Sequence, residues 1–328
     1  MLDAQGLKAA RERFRHQLPY PIAINYKRIG ACPEPNATRL MYVLKTAEMS
    51  VRLLGIVALA DLRRIFGKSR VPDGAFGGEL GGRFGSPSFG TWLWILRESL
   101  KLLRSSGAEP FVPELRDFHF TGKDKSTDNV KALDELCVIR NRFAHDQVGP
   151  EEWLVPRQIP AMCERALPAL EGVLQALLFL ADYPIVLVSP ILVEKKRGAA
   201  PRYVRNKILI AGCSDQFDVE RDSVEHLCES AEVLLLHRDG QAYLNLDPLM
   251  VHSSEGVEER ESTGGGKVHI RTDIPDIFLY NGGRAGSRRY LACNKGGELN
   301  SRDCSAADYI EGAFAELLGM LGAEQGPP

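Results

Sequence analysis

The chain has 328 residues, a formal net charge of −2 and a sequence pI near 6.4, with 44% hydrophobic and 26% charged residues. This length allows two units that each bury a sizeable core, and the composition excludes disordered and fibrous classes. Because the net charge is close to zero, any contact with nucleic acid is expected to come from local basic patches.

The spacing of the cysteines and the length of the apolar stretches indicate in which cellular compartment the protein is found. Seven cysteines are present, widely spaced and without a C-x-x-C pair, which predicts neither a disulfide framework nor a zinc ribbon. The first residues lack the charged and then apolar layout of a secretory signal, and the apolar stretch 174–181 is too short to cross a bilayer. We therefore expect a cytoplasmic protein without membrane contact.

The beginning of the chain combines a basic helix with a long apolar one. A basic helix is predicted over residues 5–18, and the prolines within 19–36 predict an irregular arm. Apolar residues then recur at threes and fours over 37–66, which indicates a long helix. Asn36 or Thr38 is expected to cap it.

A glycine-rich segment follows, and helical periodicity then resumes. Residues 71–90 are predicted to form a protruding, mobile loop. Further helices are predicted over 88–105, over 111–118, from Thr127 or Asp128 to about residue 145, and over 160–182. Together these helices indicate an up-and-down bundle.

The composition changes at Tyr183-Pro184, and short β-branched runs then predict strands. The clearest signal is a hairpin of 233–238 and 241–246, because the intervening Asp239-Gly240 readily adopts the positive φ angles of a tight turn. Further strands are expected over 184–188, 208–211, 267–270, 277–280 and 289–293, a charged flexible loop over 254–266, and a final helix over 305–321.

These patterns predict an α+β fold in which a helical bundle precedes an α+β domain with an antiparallel sheet. We assign residues 1–35 to a basic helix and irregular arm, and residues 36–183 to the helical domain. Residues 184–328 form the α+β domain, for which we expect a regulatory, sensing or partner-binding role.

Three histidines lie five residues after an arginine, and context separates the three pairs. The pairs are Arg11 with His16, Arg140 with His145, and Arg221 with His226. The first lies on a charged solvated face and the last in an acidic segment outside the helical half. The middle pair ends an apolar helix, and Asn141 shares the helical face of His145. An arginine that neutralises a phosphate and a histidine that transfers protons are sufficient to cleave RNA without a metal.

Helical geometry limits how Arg140 and His145 can meet. Positions five apart on a helix lie about 140° apart around its axis. Three arrangements remain open: a deformed last turn, an arginine that reaches round the helix, or two copies that face each other across a two-fold axis. The last is the most economical, so we expect a homodimer across this helix.

The segment Ile139-Arg140-Asn141-Arg142-Phe143-Ala144-His145 resembles the signature of the HEPN superfamily of helical ribonucleases. The resemblance covers about residues 36–183, and the stretch 48–60 is similar to the family's opening helix. Some members carry a tyrosine two residues after the histidine, where this chain has Gln147, which sets it apart from the toxins regulated by nucleotidyltransferases.

The resemblance implies metal-independent endonucleolytic cleavage of RNA by a homodimer, often in toxin or antiviral defence systems, with no cofactor. His145 would take or return a proton, Arg140 would neutralise the growing phosphate charge, and Asn141 would position the phosphate or hold His145. The implied products are a 2′,3′-cyclic phosphate and a 5′-hydroxyl.

The same residues also fit a structural role. His145 could cap the C-terminus of its helix, while Arg140 and Arg142 pair with Glu135 or Asp146. The helical half would then bind RNA or a nucleotide without cutting it, or serve only for dimerisation, and the second half would recruit a regulatory protein or ligand.

RNA contacts are expected from Arg142 and from two basic patches. One patch is Lys123, Lys125 and Lys131, and the other is Lys195, Lys196 and Arg197. Each patch could equally be an ordinary solvated face. His237, His252 and His269 are scattered on predicted strands without ligand spacing, so no metal site is predicted.

Overall fold

The computed structural model describes residues 4–67, 69–72, 74–122, 125–145, 155–188, 192–198, 200–214, 219–224, 233–240, 242–253, 256–261, 267–272, 276–294, 297–304 and 306–323. Helices occupy most of the first half of the chain, and antiparallel strands occupy most of the second. The predicted α+β class is confirmed.

The helices of the first half are α1 (Ala4–His16), α2 (Tyr20–Gly30), α3 (Ala37–Phe66), α4 (Gly74–Phe84), α5 (Phe89–Ser105), α6 (Glu114–His119), α7 (Asp128–His145) and α8 (Val155–Ala176). The short strands β1 (Phe120–Thr121) and β2 (Lys125–Ser126) pair between α6 and α7, and a 3-10 turn over Leu178–Asp182 follows α8. The bounds of α3 and α5 agree with their predictions, and α7 is helical up to His145, the last described residue before 155.

Helix α3 is the centre of the helical half. Residues 51–62 are buried on every side, and α2, α5, α7 and α8 pack around α3. Apart from Arg52 and Asp61 this stretch is apolar, and such a helix is stable when other elements enclose it. Of the two predicted caps, Asn36 is the one used: its Oδ1 accepts a hydrogen bond from the backbone nitrogen of Arg39 at 2.9 Å.

The predicted irregular arm over 19–36 is wrong for most of its length, because α2 occupies residues 20–30. Pro19 precedes the helix and Pro21 lies in its first turn. Backbone nitrogens in a first helical turn have no carbonyl partner within the helix, so prolines there cost no hydrogen bond. Ile22, Tyr26 and Ile29 then bury one side of the helix.

The predicted mobile loop over 71–90 is also wrong, because α4 occupies residues 74–84. Phe76, Leu80 and Phe84 follow each other at helical spacing, and all three are buried. They form one apolar face in spite of the surrounding glycines. That face packs against α5 and the C-terminal helix α9 (Ala307–Leu321).

The described strands of the second half form two antiparallel six-stranded sheets. The first contains β3 (Ile185–Val188), β4 (Leu192–Glu194), β5 (Arg202–Leu209), β6 (Val219–Val224), β7 (Val233–Leu236) and β8 (Tyr243–Asn245). The second contains β9 (Met250–Ser253), β10 (Gly256–Glu261), β11 (Lys267–Thr272), β12 (Asp276–Arg284), β13 (Ser287–Ala292) and β14 (Glu298–Asn300), in the order β11-β10-β14-β13-β12-β9.

Strand pairing in the first sheet includes the predicted hairpin. Strands β7 and β8 pair antiparallel with Leu235 opposite Leu244, which confirms the hairpin signal. Strand β5 pairs with β6 along one edge, and with both β4 and β3 along the other.

The predicted flexible loop over 254–266 is wrong at residues 256–261, because β10 pairs there with β11 and β14. The flanking residues 254–255 and 262–266 lie outside the described residues.

The two halves share one core. Buried side chains from Ala10 to Ala323 form a single continuous cluster. Arg63 of α3 also donates from its two terminal nitrogens to the carbonyl oxygens of Asp247 and Asn245, both at 2.6 Å. The change at Tyr183-Pro184 is therefore a change of secondary structure, across which the hydrophobic core continues. Within the described residues, no helix combines the length and the apolar character that crossing a bilayer demands.

Candidate functional site

Helix α7 has a buried face and an exposed face. The hydroxyl of Thr127 accepts a hydrogen bond from the backbone nitrogen of Val130 at 3.4 Å and caps the start of the helix. Leu133, Leu136 and Ile139 point into the core. The opposite side is exposed and presents Lys131, Asp134, Val138 and Asn141, at spacings of three and four residues. The same spacing places residue 145 next in this row.

The arginine and the histidine of the candidate site both lie on one continuous helix. The backbone is α-helical through His145, so the arrangement with a deformed last turn does not apply. The two side chains start about 140° apart around the axis. The side chain of His145 itself lies outside what the structure describes.

Arg140 and Asn141 are brought together. Arg140 is half-buried, and its Nη1 donates a long hydrogen bond of 3.4 Å to Oδ1 of the exposed Asn141. The Nδ2 of Asn141 in turn lies 3.9 Å from Sγ of Cys137. Asn141 therefore supports the guanidinium group while it remains open to solvent.

The pKa of the Cys137 thiol depends on the charges around it, which include that of Arg140. Burial raises the pKa of the Cys137 thiol, while the positive charge of Arg140 lowers it and the negative charges of Asp134 and Glu48 raise it. Glu48 belongs to α3, and the motif on α7 does not indicate that its charge acts on Cys137.

Arg52 of α3 is a buried charged residue that the motif does not indicate. Its side chain is 1% exposed, and Nη2 pairs with Oε1 of Glu48 at 2.9 Å. Nη1 donates to the carbonyl oxygen of Tyr280 at 2.9 Å and to Oδ1 of Asn281 at 3.0 Å. Burial lowers the pKa of Arg52, Glu48 raises it, and the positive charge of Arg140 lowers it further. The available sequence signal was a Glu-x-x-x-Arg pair within the largely apolar middle of this helix.

Arg142 points to α8. Its Nη2 donates to Oε1 of Gln158 at 2.6 Å. Glu135, a suggested structural partner of Arg140 and Arg142, is instead bonded to Arg165 of α8. Asp146, the other suggested partner, lies outside the described residues.

The predicted basic patches lie on different halves of the molecule. Lys131 is on the exposed face of α7, where it pairs with Asp128 at 2.8 Å. Lys125 is exposed on β2, and Lys123 lies outside the described residues. The exposed residues Lys195, Lys196 and Arg197 follow β4 on the sheet half. Only the lysines of β2 and α7 belong to the same region of the chain as the candidate site.

The other two arginine–histidine pairs have different surroundings. Arg11 forms a bonded pair with Glu171 of α8 at 2.8 Å, and His16 lies 3.4 Å from Glu12 at the surface. Arg221 pairs with Glu194 at 3.1 Å, and His226 lies outside the described residues. Both arginines thus bridge neighbouring elements.

The histidines of the sheet half are separated from one another. Nδ1 of His237 lies 2.9 Å from Asp239, burial lowers the pKa of His252, and the side chain of His269 is outside the described residues. In the part of the chain that the structure describes, no three histidine, cysteine or acidic side chains are grouped as metal ligands.

No protein-family model matches the chain, and no curated protein or solved structure is detectably similar to it. The arrangement offers a guanidinium group, an amide and, at the next position of the same helical face, an imidazole-bearing residue. These groups can bind a phosphodiester and exchange protons with it.

Proposed function

We propose that this chain is a metal-independent endoribonuclease of HEPN type that acts as a homodimer across α7. The observation on which the proposal depends is the end of α7. The exposed residues Val138 and Asn141 are followed on the same helical face by residue 145. The half-buried Arg140 lies beside Asn141. A phosphodiester can approach this row from solvent.

The residues support one mechanism. The 2′-hydroxyl of RNA attacks the adjacent phosphorus, and the bond from phosphorus to the 5′-oxygen of the next nucleotide breaks. His145 of one copy takes the proton of the 2′-hydroxyl, and His145 of the second copy returns a proton to the leaving oxygen. Arg140 neutralises the charge that grows on the non-bridging oxygens, and Asn141 holds the phosphate or the imidazole. DNA lacks the 2′-hydroxyl and should resist.

The dimer is supported by an exposed apolar side chain. Val138 lies in the middle of the exposed row of α7, and its side chain is 66% exposed. A two-fold axis near Val138 would bury both copies of this side chain and bring two sets of Arg140, Asn141 and His145 into one cleft. This arrangement also removes the difficulty that Arg140 and His145 diverge on a single helix.

The rest of the chain fits supporting roles. Arg142, Lys125 and Lys131 are the basic residues of the α7 region that would contact RNA phosphates together with Lys123. Lys195, Lys196 and Arg197 offer a second contact on the sheet half. We assign the sheet half to regulation by a protein or ligand, and the whole protein to a toxin or antiviral defence role in the cytoplasm.

Cleavage of single-stranded RNA in the presence of EDTA tests this proposal. The wild type should produce 2′,3′-cyclic phosphate and 5′-hydroxyl ends and leave DNA of the same sequence intact. Arg140→Ala and His145→Ala should lose cleavage and keep the helical circular dichroism of the wild type. Arg165→Ala, which removes an exposed arginine on α8, is the matched control and should cut normally.

Two results would refute the proposal. One is undiminished cutting by both site variants, and the other is strict dependence on a divalent metal. Retention of RNA without new ends would instead support the non-catalytic alternative, in which the helical half only binds RNA.

A further inference from the structure

We infer that a cavity between the two halves of the chain binds a small aromatic anion, which is a planar ring system that carries one acidic group and an N–H donor. The cavity has a volume of about 570 Å³. Sites for small organic molecules have volumes of roughly 300–1,000 Å³. None of the residues that line the cavity belongs to α7, so the inference goes beyond the proposed ribonuclease and does not depend on it.

The cavity lies where α1 and the turn after α8 meet the first sheet. The last turn of α1 forms one wall, and the 3-10 turn over Leu178–Asp182 forms another. The segment after α1 and the end of β5 close the cavity on a further side, where Pro19 and Ala211 form an antiparallel bridge. The backbone nitrogen of Tyr20 also donates to the carbonyl oxygen of Ile210 at 3.3 Å. Backbone contacts between the two halves therefore fix the shape of the cavity.

The base of the cavity is apolar. It includes the buried residues Leu180, Ile185 and Ile210, whereas Phe179 and Leu209 are only half-buried. These two side chains leave apolar area that a ligand can cover. Because aromatic rings attract each other beyond the area that they bury, Phe179 favours a planar aromatic ring as the group that covers it.

Arg13 supplies a cation at the edge of the cavity. Arg13, His16 and Gln17 are three and four residues apart, so they share one face of α1. His16 lies 3.4 Å from Glu12, and the Nε of Arg13 donates to Oε1 of Gln17 at 2.9 Å. In the part of the chain that the structure describes, Nη1 and Nη2 of Arg13 have no acceptor. The N–H groups of a guanidinium match the oxygens of a carboxylate or a phosphate, so Arg13 can bind an acidic group.

Asp182 supplies a carboxylate on another wall. Residues three apart in a 3-10 turn lie on the same side, so Asp182 flanks the cavity together with Phe179. Its side chain is exposed, and among the described residues it forms neither a hydrogen bond nor an ion pair. Arg13 and Asp182 therefore line one cavity without pairing with each other. A ligand with an acidic group and an N–H donor at separate positions would satisfy both.

Two classes of small molecule share this chemistry. In an aromatic amino acid, the carboxylate would bind Arg13 and the ammonium group would donate to Asp182. In a nucleoside monophosphate, the phosphate would bind Arg13 and the amino group of the base would donate to Asp182. The ring would cover Phe179 in both. One representative of each class therefore serves as a probe.

Isothermal titration calorimetry of the full chain with AMP and with tryptophan tests the inference and distinguishes the two classes. We expect at least one of the probes to bind with a Kd of about 100 µM or lower. Adenosine and tryptamine lack the anion of AMP and of tryptophan, whereas inorganic phosphate and glycine lack the ring. Each analogue should bind at least about tenfold more weakly than its parent probe, because either the charged hydrogen bonds or the apolar contact is lost.

Variants of the cavity locate the bound molecule. Arg13→Ala should weaken binding of the preferred probe at least about tenfold and leave the affinity of its anion-free analogue unchanged. Asp182→Asn should weaken binding by a smaller factor, because the amide oxygen still accepts a hydrogen bond. Lys8→Ala is the matched control, since Lys8 is an exposed cation of the same helix that does not line the cavity. This control should keep the affinity of the wild type.

Three results would overturn the inference. One is the failure of both probes to bind at concentrations up to about 1 mM. Another is an analogue without the ring or without the anion that binds as tightly as its parent, because the corresponding part of the cavity would then contribute nothing. The third is an equal effect of Arg13→Ala and Lys8→Ala, which would show a general attraction of anions to the basic helix α1 and no specific site.

Discussion

Val138 and Asn141 stand one helical turn apart on the exposed side of α7, an apolar side chain next to an amide that supports Arg140. Val138 is 66% exposed, so a second copy that covered it would bury apolar area beside the amide. Because Val138 and Asn141 are neighbours on α7, the proposed dimer interface adjoins the proposed site. One substitution can therefore test both.

Val138→Glu should weaken the dimer. The change removes apolar burial from both copies and places two like charges near the axis. We expect the dissociation constant to rise by at least about tenfold, and cleavage to fall in parallel with the loss of dimer. Sedimentation velocity over a range of concentrations measures the change.

Val219→Glu is the control for this experiment. Val219 on β6 has a similar exposure, 63%, and lies on the sheet half. The variant Val219→Glu should leave both dimer association and RNA cleavage unchanged. A monomeric wild type that cuts RNA, or a Val138→Glu dimer of normal affinity, would contradict the interface.

Arg140→Lys should lower the cleavage rate even though it keeps the charge. A guanidinium group binds two phosphate oxygens at once, while an ammonium group acts as a single point charge. Loss of one preorganised donor to a charged transition state costs about a hundredfold in kcat. Arg142→Lys is the comparison, because Arg142 is bonded to Gln158 on α8 and should affect kcat little. Equal rates for the two variants would exclude Arg140 as the group that contacts the transition state.

Local patterns predicted those parts of the fold whose stability is local. The bounds of α3 follow from its apolar periodicity and the Asn36 cap, and the helical conformation of α7 follows from its apolar face. The prediction failed where local composition and tertiary packing disagree. The prolines near α2 and the glycines of α4 favour loops, but the core takes up the apolar faces of both segments as helices.

In the candidate region, too, some features follow from local sequence and others only from tertiary packing. Arg140, Asn141 and His145 are neighbours in sequence, so a motif can place them on one helical end. Asn281 lies 229 residues from Arg52, and the β-bulge between Tyr280 and Gly282 that directs it exists only in the assembled sheet. No spacing rule links positions so far apart, so the sequence did not predict the contact between Arg52 and Asn281.

Two neighbouring glycines of α4 provide a test of the packing that the sequence did not predict. A Cβ on Gly77 would lie 2.1 Å from the carbonyl oxygen of Leu321, whereas a Cβ on Gly78 would meet nothing within 4 Å. Gly77→Ala should therefore destabilise the protein by about 2 kcal/mol, because backbone atoms of α9 must move. Gly78→Ala should stabilise it by up to about 1 kcal/mol, since alanine favours the helix. Urea midpoints at unchanged m-values measure both effects, and similar changes from the two substitutions would show that α4 does not pack on α9 in this way.

His119 at the end of α6 should make the fold sensitive to acid. Its ring is 1% exposed, and burial, followed by the positive charges of Arg97 and Lys101, lowers the pKa of His119 from its ordinary 6.5 to about 4. Between these two values the unfolded chain binds a proton that the folded chain does not, so stability falls as the pH falls from 6.5 to 4. The full loss is about 3 kcal/mol. His119→Leu removes this titration, and its free energy of unfolding should decline less steeply than that of the wild type over the same range. The difference between the two proteins isolates the histidine, because the carboxylates titrate in both. Parallel stability profiles between pH 4 and 6.5 would show that His119 accepts a proton in the folded state as readily as in the unfolded chain, and thus that its ring is not enclosed between α5 and α7.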